Sequence, residues 1–536
     1  MHLPFRLYRI FVDKLKLSTM NRNKFSILVL WVTVILFAFT QCRKEATLPV
    51  DPVVTPPVVT PVVIPAASEV NNFVWGSMHD VYLWNTQVAN LSNTYYQPLT
   101  TSSANYKRNV DSLNVFLNKY TDPSLLFNAL MYQKGTVDKW SFIVNDYTII
   151  QDWIAGISKT MGYDYQLYLL NSTSDAVIGV IRYVYPGSPA EKAGIKRGNI
   201  FTKIDGTQLT TSNYSTLIAK ETFALTLATL SNGVLTTSGT TAVMTAVQMQ
   251  EDPVYLSKVL TVNGAKVGYL VYNGFTSDFD LKLNTVFQQF KTAGITKLIL
   301  DLRYNGGGSV QTAIYLASMI YSTNTAKVFT KSLWNTLYSQ YNSSDSFTDK
   351  ITTTSGTTPI NSIGLSDVYF IVSGETASAS ELLINGLRPY VNARVVGTNT
   401  YGKYVASVTI YDYALDSKGN LIPDGKGDYV KVTNHKYAMQ PIVAKYANSL
   451  GVSDFVNGLT PDLVTPKEDI GSMLQLGDEN EQLLKAVLDY MKAGKSISLP
   501  NPTSLANSKY LFGPKDQYGF SRDMYVGQGR VLNRTK

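Results

Sequence analysis

A chain of 536 residues exceeds what one hydrophobic core usually organises, and its length points to three or four domains. Its 45% apolar and 16% charged composition is globular, which excludes a disordered polyelectrolyte. The formal charge of +8 does not mark a nucleic-acid binder, because residues 1–44 hold eight Lys/Arg against one Asp while 39 basic face 38 acidic residues in the rest.

Cys42 is the only cysteine, so the chain has neither a disulfide framework nor a cysteine-based metal site. It follows Phe25–Phe39, a mostly apolar fifteen-residue run preceded by Arg22 and Lys24. That run has the length of a signal-peptide core and is short for a membrane span. It resembles a bacterial lipoprotein signal, although Gln41 and Phe39 replace the commoner small residue and leucine. The resemblance implies lipidation of Cys42 and a membrane anchor in the bacterial cell envelope. The alternative is a signal cleaved elsewhere, with an incidental cysteine. Arg43, where aspartate would favour inner-membrane retention, leans toward the outer membrane. Translation from Met20 would leave out a superfluous preceding stretch. Residues 1–42 are thus read as signal peptide and 43–68 as a linker. Six prolines within Leu48–Pro65 deny helix and sheet hydrogen bonds and favour an extended spacer.

Residues 69–155 read as a helical N-terminal region. Large apolar residues recur at spacings of three and four between Val70 and Trp84. Ser112–Tyr120 and Leu125–Leu130 read as further short helices, and no chemistry is legible in this stretch. His79 beside Asp80 is expected to be a surface histidine, since adjacent helical residues point different ways.

Residues 156–252 form the next unit. In Tyr185-Pro186-Gly187-Ser188-Pro189-Ala190-Glu191-Lys192-Ala193-Gly194-Ile195, Ser188 and Glu191 have capping-box spacing. Pro189 suits the first helical position and Gly194 the C-terminal cap. Gly198–Gly206 then reads as a strand closed by an Asp-Gly turn. This stretch resembles a PDZ domain, which implies that a peptide adds as a strand beside a carboxylate-binding loop. The matching loop is Met161-Gly162-Tyr163. A PDZ-like brace that binds no peptide is the alternative.

From 253 to 497 strands and helices alternate, the signature of α/β layering. Lys266–Tyr272, Lys297–Leu302 and Val368–Val372 read as strands, and the second is apolar enough for burial on both sides. Leu283, Val286, Phe287 and Phe290 share a helical face, Val310–Tyr321 is another helix, and Asp478–Ala493 closes the domain. Residues 498–536 form a C-terminal tail with little pattern.

The candidate chemistry lies in Asp367–Lys403: a buried strand, a small-residue turn, a short helix, a second strand and a Gly-Lys loop. Ser378 stands at the strand-to-helix turn, where its hydroxyl meets the positive end of a helix dipole. A serine that only caps the helix is the alternative. Of three histidines, His2 lies in the leader and His79 in the helical region, leaving His435 for a Ser-His arrangement. With no HExxH and no His or Cys cluster, no metal site is expected. Lysine is therefore the favoured base, and Lys403 stands 25 residues after Ser378. A base of this kind must be neutral, which requires lowering a pKa near 10.4 to about 7–8 by burial. Gly397–Lys403 also matches GxxxxGK, but Tyr404 occupies the Ser/Thr position of a phosphate-binding loop, so no nucleotide or other cofactor is expected. Asp301-Leu302-Arg303-Tyr304-Asn305-Gly306-Gly307-Gly308 frees backbone N–H groups to face a ligand.

In order, the PDZ unit, DLRxNxGG, S-A-S-E and GK resemble the C-terminal processing peptidases, tail-specific serine proteases of family S41. The resemblance implies a multidomain α+β and α/β protein with a crotonase/Clp-protease-like catalytic domain. It implies Ser378 as nucleophile, Lys403 as base, and the backbone N–H groups of Ala379, Gly306 and Gly307 as oxyanion donors. Substrates would be proteins or peptides with accessible C-termini. Relatives carry glutamine four residues after the lysine; Ser407 stands there and is the expected auxiliary residue. A tethered PDZ protein with a weak or silent catalytic site is the alternative.

Overall fold

The computed structural model describes residues 63–91, 106–171, 173–231, 234–494, 508–516 and 521–526. Cys42 and the proline-rich linker up to residue 62 lie outside the described residues. One compact unit spans Ile64–Lys536.

Three helices open it: α1 (Glu69–Val81), α2 (Tyr106–Leu117) and α3 (Pro123–Ala129). The apolar spacing explains α1, which buries Phe73, Val74, Met78 and Val81. His79 departs from the surface position expected of it. It is buried, stacks on Trp75 at 4.9 Å and meets Asp80 at 2.8 Å. Strand β1 (Phe142–Val144) leaves this region to pair with the α/β body.

The second unit is a twisted antiparallel sheet of β2 (Tyr163–Leu169), β3 (Val177–Val184), β4 (Ile200–Ile204), β5 (Leu225–Ser231) and β6 (Val234–Thr240). Short helix α4 (Pro189–Lys192) lies between β3 and β4, and α5 (Tyr214–Ile218) between β4 and β5. Ser188 Oγ accepts the Glu191 N–H at 3.1 Å as the capping spacing predicts. The returning carboxylate accepts from Gly187 N–H instead of Ser188, at 2.7 Å. The expected Asp-Gly turn closes β4 with Asp205 and Gly206 at φ +49° and +76°. Met161-Gly162-Tyr163 immediately precedes and begins β2. Gly162 has φ +82°, and a Cβ there would lie 2.2 Å from Ser188 Cβ, so only glycine lets the loop pack on α4.

The α/β body has two six-stranded sheets. The first runs β7 (Val254–Val262), β8 (Ala265–Tyr272), β9 (Lys297–Asp301), β13 (Asp367–Val372), β14 (Asn392–Gly397) and β18 (Leu463–Val464), parallel from β8 onward. The apolar runs of β8, β9 and β13 fit their central places, where both faces are covered. The second runs β10 (Gly308–Ser309), β20 (Met524–Val526), β15 (Val405–Val408), β17 (Ile442–Asn448), β11 (Val328–Trp334) and β12 (Ser343–Ser346). Strand β16 (Ala438–Gln440) instead pairs with β1. Helices α6 (Asp280–Ala293), α7 (Val310–Ile320) and α8 (Ala379–Leu387) share one apolar cluster with both sheets. On the other face of the first sheet, α9 (Gln482–Ala493) packs through Leu483, Leu484, Val487 and Leu488.

The tail is tied into both units, although its sequence shows little pattern. Strand β19 (Lys509–Phe512) joins the free edge of β2, and β20 lies between β10 and β15. Two short pairings with sequence-distant strands leave no periodicity to read.

Candidate active site

Three neighbouring parallel strands, β9, β13 and β14, end at the same edge of the first sheet. Each delivers one motif there: the 301–308 loop, the Ser378 turn and the Lys403 loop. Clefts at the carboxyl ends of parallel strands are the usual ligand sites of open α/β sheets.

The 301–308 loop is held by a buried ionic cluster. Arg303 is fully buried, 2.7 Å from Asp301 and Glu468 and 2.6 Å from Glu481. Arg197, from the PDZ unit, meets Glu468 at 2.6 Å and the Tyr304 hydroxyl at 2.6 Å. The turn is then tied to this loop. Thr376 Oγ1 donates to Leu302 O at 2.8 Å, Ala377 N–H to Asn305 O at 3.1 Å, and Ser380 Oγ to the same carbonyl at 3.2 Å.

Ser378 occupies the N-cap position of α8 at φ +67°, ψ −117°. An ordinary N-cap is extended, so the capping alternative does not account for this backbone. A non-glycine residue in such a region is strained and persists only because its surroundings impose it. Its side chain is buried. Its Oγ is oriented as in a capping box but has no hydrogen-bond partner among the described residues. A Cβ on Gly307 would stand 2.6 Å from Ser378 Cβ and 3.0 Å from Ala379 N, so glycine permits this approach. Gly307 N–H itself donates to Asn305 Oδ1 at 2.9 Å, which leaves Gly306 as the loop's remaining expected donor. Ala379 opens α8, where N–H groups lack intrahelical acceptors.

Glu381 joins the Ser378 turn to the lysine loop. Its carboxylate accepts N–H groups from Ser378 (2.8 Å), Lys403 (2.8 Å) and Gly402 (2.7 Å), and the Thr400 hydroxyl at 2.5 Å. Burial pushes this carboxyl up to about 7, against the pull of those donors.

Lys403 is fully buried, and desolvation drives its amine well below the ordinary lysine value. Asp138 and Glu381 oppose that shift. The Nζ lies 5.6 Å from the Trp140 ring centre. Asp138 is buried, bonded to Tyr82 Oη at 2.7 Å and to the N–H groups of Trp140 and Ser141. The helical N-terminal region, where no chemistry is legible, thus walls one side of the lysine. Its contribution escapes sequence reading because Asp138 and Trp140 lie more than 260 positions before Lys403.

The Lys403 amine meets Asp523, from the tail, and makes no hydrogen bond to Ser378. A further contact of the site comes from Ser407, the expected auxiliary residue. Its Oγ lies 2.8 Å from Asp523 Oδ2 and 2.7 Å from Gln440 Oε1, so it reaches the lysine only through Asp523. His435 is placed with Asp412 at 3.2 Å and with Tyr437 N–H, 5.9 Å from the Phe73 ring, and makes no contact with Ser378. Among the described residues no group of three or more His, Cys, Asp or Glu could hold a metal ion. A cavity of about 830 Å3 opens beside the turn, lined by Tyr304, Ser373, Glu375, Thr465, Tyr510 and Arg522.

Residues 266–463 match peptidase family S41, 69–142 the S41 N-terminal domain and 180–229 a PDZ domain. The chain carries a family S41 peptidase domain. A carboxyl-terminal-processing protease of Picosynechococcus sp. is 28% identical over 319 residues, 58% of this chain and 66% of that protein. A protein of Staphylococcus aureus strain MRSA252 named as a CtpA-like serine protease is 26% identical over 317 residues, 55% of this chain and 58% of that protein. The chain therefore spans roughly three fifths of the length of the curated relatives it matches. A solved structure of a candidate S41 protease from Bacteroides fragilis superposes with a TM-score of 0.58 at 24% identity, covering 79% of this chain and 97% of that one. The fold around the S41 domain is thus the one expected from the motifs.

Proposed function

We propose that the chain is a serine endopeptidase of the C-terminal processing type, acting through Ser378 and Lys403, with the PDZ unit receiving substrate C-termini. The observation that carries this reading is the convergence of the three motif loops, with Gly307 against Ser378 and Glu381 joined to both Ser378 and Lys403 backbones. Desolvation lowers the Lys403 amine toward neutrality, the form able to accept a proton. Once free of Asp523, it takes the Ser378 Oγ proton as Oγ attacks a peptide carbonyl. The oxyanion receives the Ala379 and Gly306 N–H groups. The leaving amine takes the proton from Lys403, and water then hydrolyses the acyl-enzyme.

The same reading makes the protein an exported lipoprotein of the bacterial cell envelope, anchored through Cys42. Its support is the apolar run Phe25–Phe39 ending near that cysteine. The runner-up, a tethered peptide-binding protein with a silent site, is favoured by one observation: Lys403 is engaged by Asp523.

The deciding experiment is cleavage of a disordered protein by the wild type, Ser378→Ala and Lys403→Ala, with circular dichroism to check folding. Loss of cleavage in both folded variants supports the dyad. Cleavage by either variant at the wild-type rate overturns it.

A further inference from the structure

The tail occupies two places that a substrate would need. Strand β19 runs antiparallel along the free edge of β2, with Lys509 opposite Leu169, Tyr510 opposite Tyr168 and Phe512 opposite Leu167. It therefore advances toward the Met161-Gly162-Tyr163 loop, the polarity of a peptide whose C-terminus points at that loop. Phe512 packs on the PDZ core, its ring 6.0 Å from that of Tyr214 on α5. This is strand addition to a sheet edge, the backbone recognition that an incoming peptide would use.

Further on, the tail reaches the catalytic loops. A Cβ on Gly306 would lie 2.4 Å from Ser521 O, and one on Gly307 3.0 Å from Asp523 O. Asp523 is 1% exposed and ion-paired with Lys403. The Asp523 carboxylate works against the effect of burial on that amine and favours the ammonium, which has no lone pair for the Ser378 proton. Ser378 Oγ is without a hydrogen-bond partner among the described residues.

We propose that residues 509–516 and 521–526 act together as an intramolecular inhibitor: β19 fills the peptide-binding edge of the PDZ unit while Asp523 holds the Lys403 amine in an ion pair. This rests on the peptidase reading above and adds how the site is kept shut. A substrate C-terminus competes with β19 for the β2 edge. Release of β19 loosens the segment that carries Asp523, and Lys403 then turns to Ser378.

Two variants test this, each compared with wild type on a disordered casein. Asp523→Ala removes the carboxylate, and Phe512→Asp weakens β19 without touching the catalytic residues. Losing an opposite charge lowers a lysine pKa by about 1 unit or more, giving up to about ten times as much neutral amine at a pH on the acidic limb. Asp523→Ala should therefore cleave faster by about that factor, and its activity should extend to lower pH. Phe512→Asp should also cleave faster and be inhibited again by a synthetic peptide of residues 508–526. The same peptide carrying Asp523→Ala should inhibit less.

Hydrogen exchange in the Ser378→Ala protein supplies a readout independent of catalysis. A synthetic peptide of residues 503–512 with a free carboxylate should raise exchange in β19 and in 524–526 together. Rates of both variants at or below wild type, in folded protein, overturn the proposal while leaving the peptidase reading intact. Unchanged exchange with peptide bound overturns it even if no form cleaves casein. Cleavage by Ser378→Ala at the wild-type rate would instead overturn the peptidase reading alone, since the exchange result is unaffected.

Discussion

Glu381 holds Ser378 by its backbone: the carboxylate accepts the Ser378 N–H at 2.8 Å and, through the same oxygen, the Lys403 N–H at 2.8 Å. One buried side chain therefore sets the separation between the strained turn and the loop that carries the amine. An amide cannot replace it, because an amide's NH2 would face donors. Glu381→Gln should lower stability by about 2–4 kcal/mol, from buried N–H groups left unpaired. It should cut kcat by about 100-fold through misplacement of the two loops. Denaturant unfolding and steady-state kinetics measure the two losses.

Gly307→Ala tests the close approach of the glycine loop. The residue has φ +114°, and its new Cβ would collide with Ser378 Cβ at 2.6 Å. The loop or the turn must move, so peptidase activity should fall by about 100-fold. Secondary structure by circular dichroism should stay near wild type.

Trp140→Ala would admit water beside Lys403. Desolvation is the largest influence on that amine and lowers it. Hydration returns it upward, and activity needs the neutral form, so the acidic limb of kcat/KM should move to higher pH. A pH–rate profile reads the direction. A limb that moves to lower pH would contradict burial as the cause.

Arg303→Met would leave Asp301 and Glu481 buried beside an uncharged side chain. Removing one partner from a buried ionic cluster costs about 3–5 kcal/mol. The melting temperature should fall accordingly. A change within experimental error would mean that the cluster contributes nothing net.

Much of this architecture is legible in the sequence, for local reasons. The near-continuous apolar run Lys297–Leu302 reads as a doubly covered strand because no polar face interrupts it. Helix α4 is legible from Ser188, Pro189 and Gly194, each with a position-specific role. The places of Ser378 and Lys403 in the fold are legible because strand, turn and helix signals bracket the first and a Gly-Lys pair marks the second. Trp140, Asp138 and Asp523 are not legible, since they act across long sequence separations and carry no periodic or turn signal. Ser407 shows the limit of a positional expectation. Its hydroxyl is in the site, but it makes no hydrogen bond to the amine and meets Asp523 instead. The neighbouring Asp80 alone misplaces His79, because its ring stacks on Trp75, one turn earlier in α1, and is buried there.

The central claim is that Ser378 is a nucleophile activated by Lys403. It is tested most directly by treating the protein with a serine-reactive fluorophosphonate and locating the adduct by peptide mass spectrometry. The account predicts a single adduct on Ser378, no adduct in Ser378→Ala, and strongly slowed labelling in folded Lys403→Ala. Labelling of Ser378 at the same rate with and without Lys403, or an adduct on another serine alone, would contradict it.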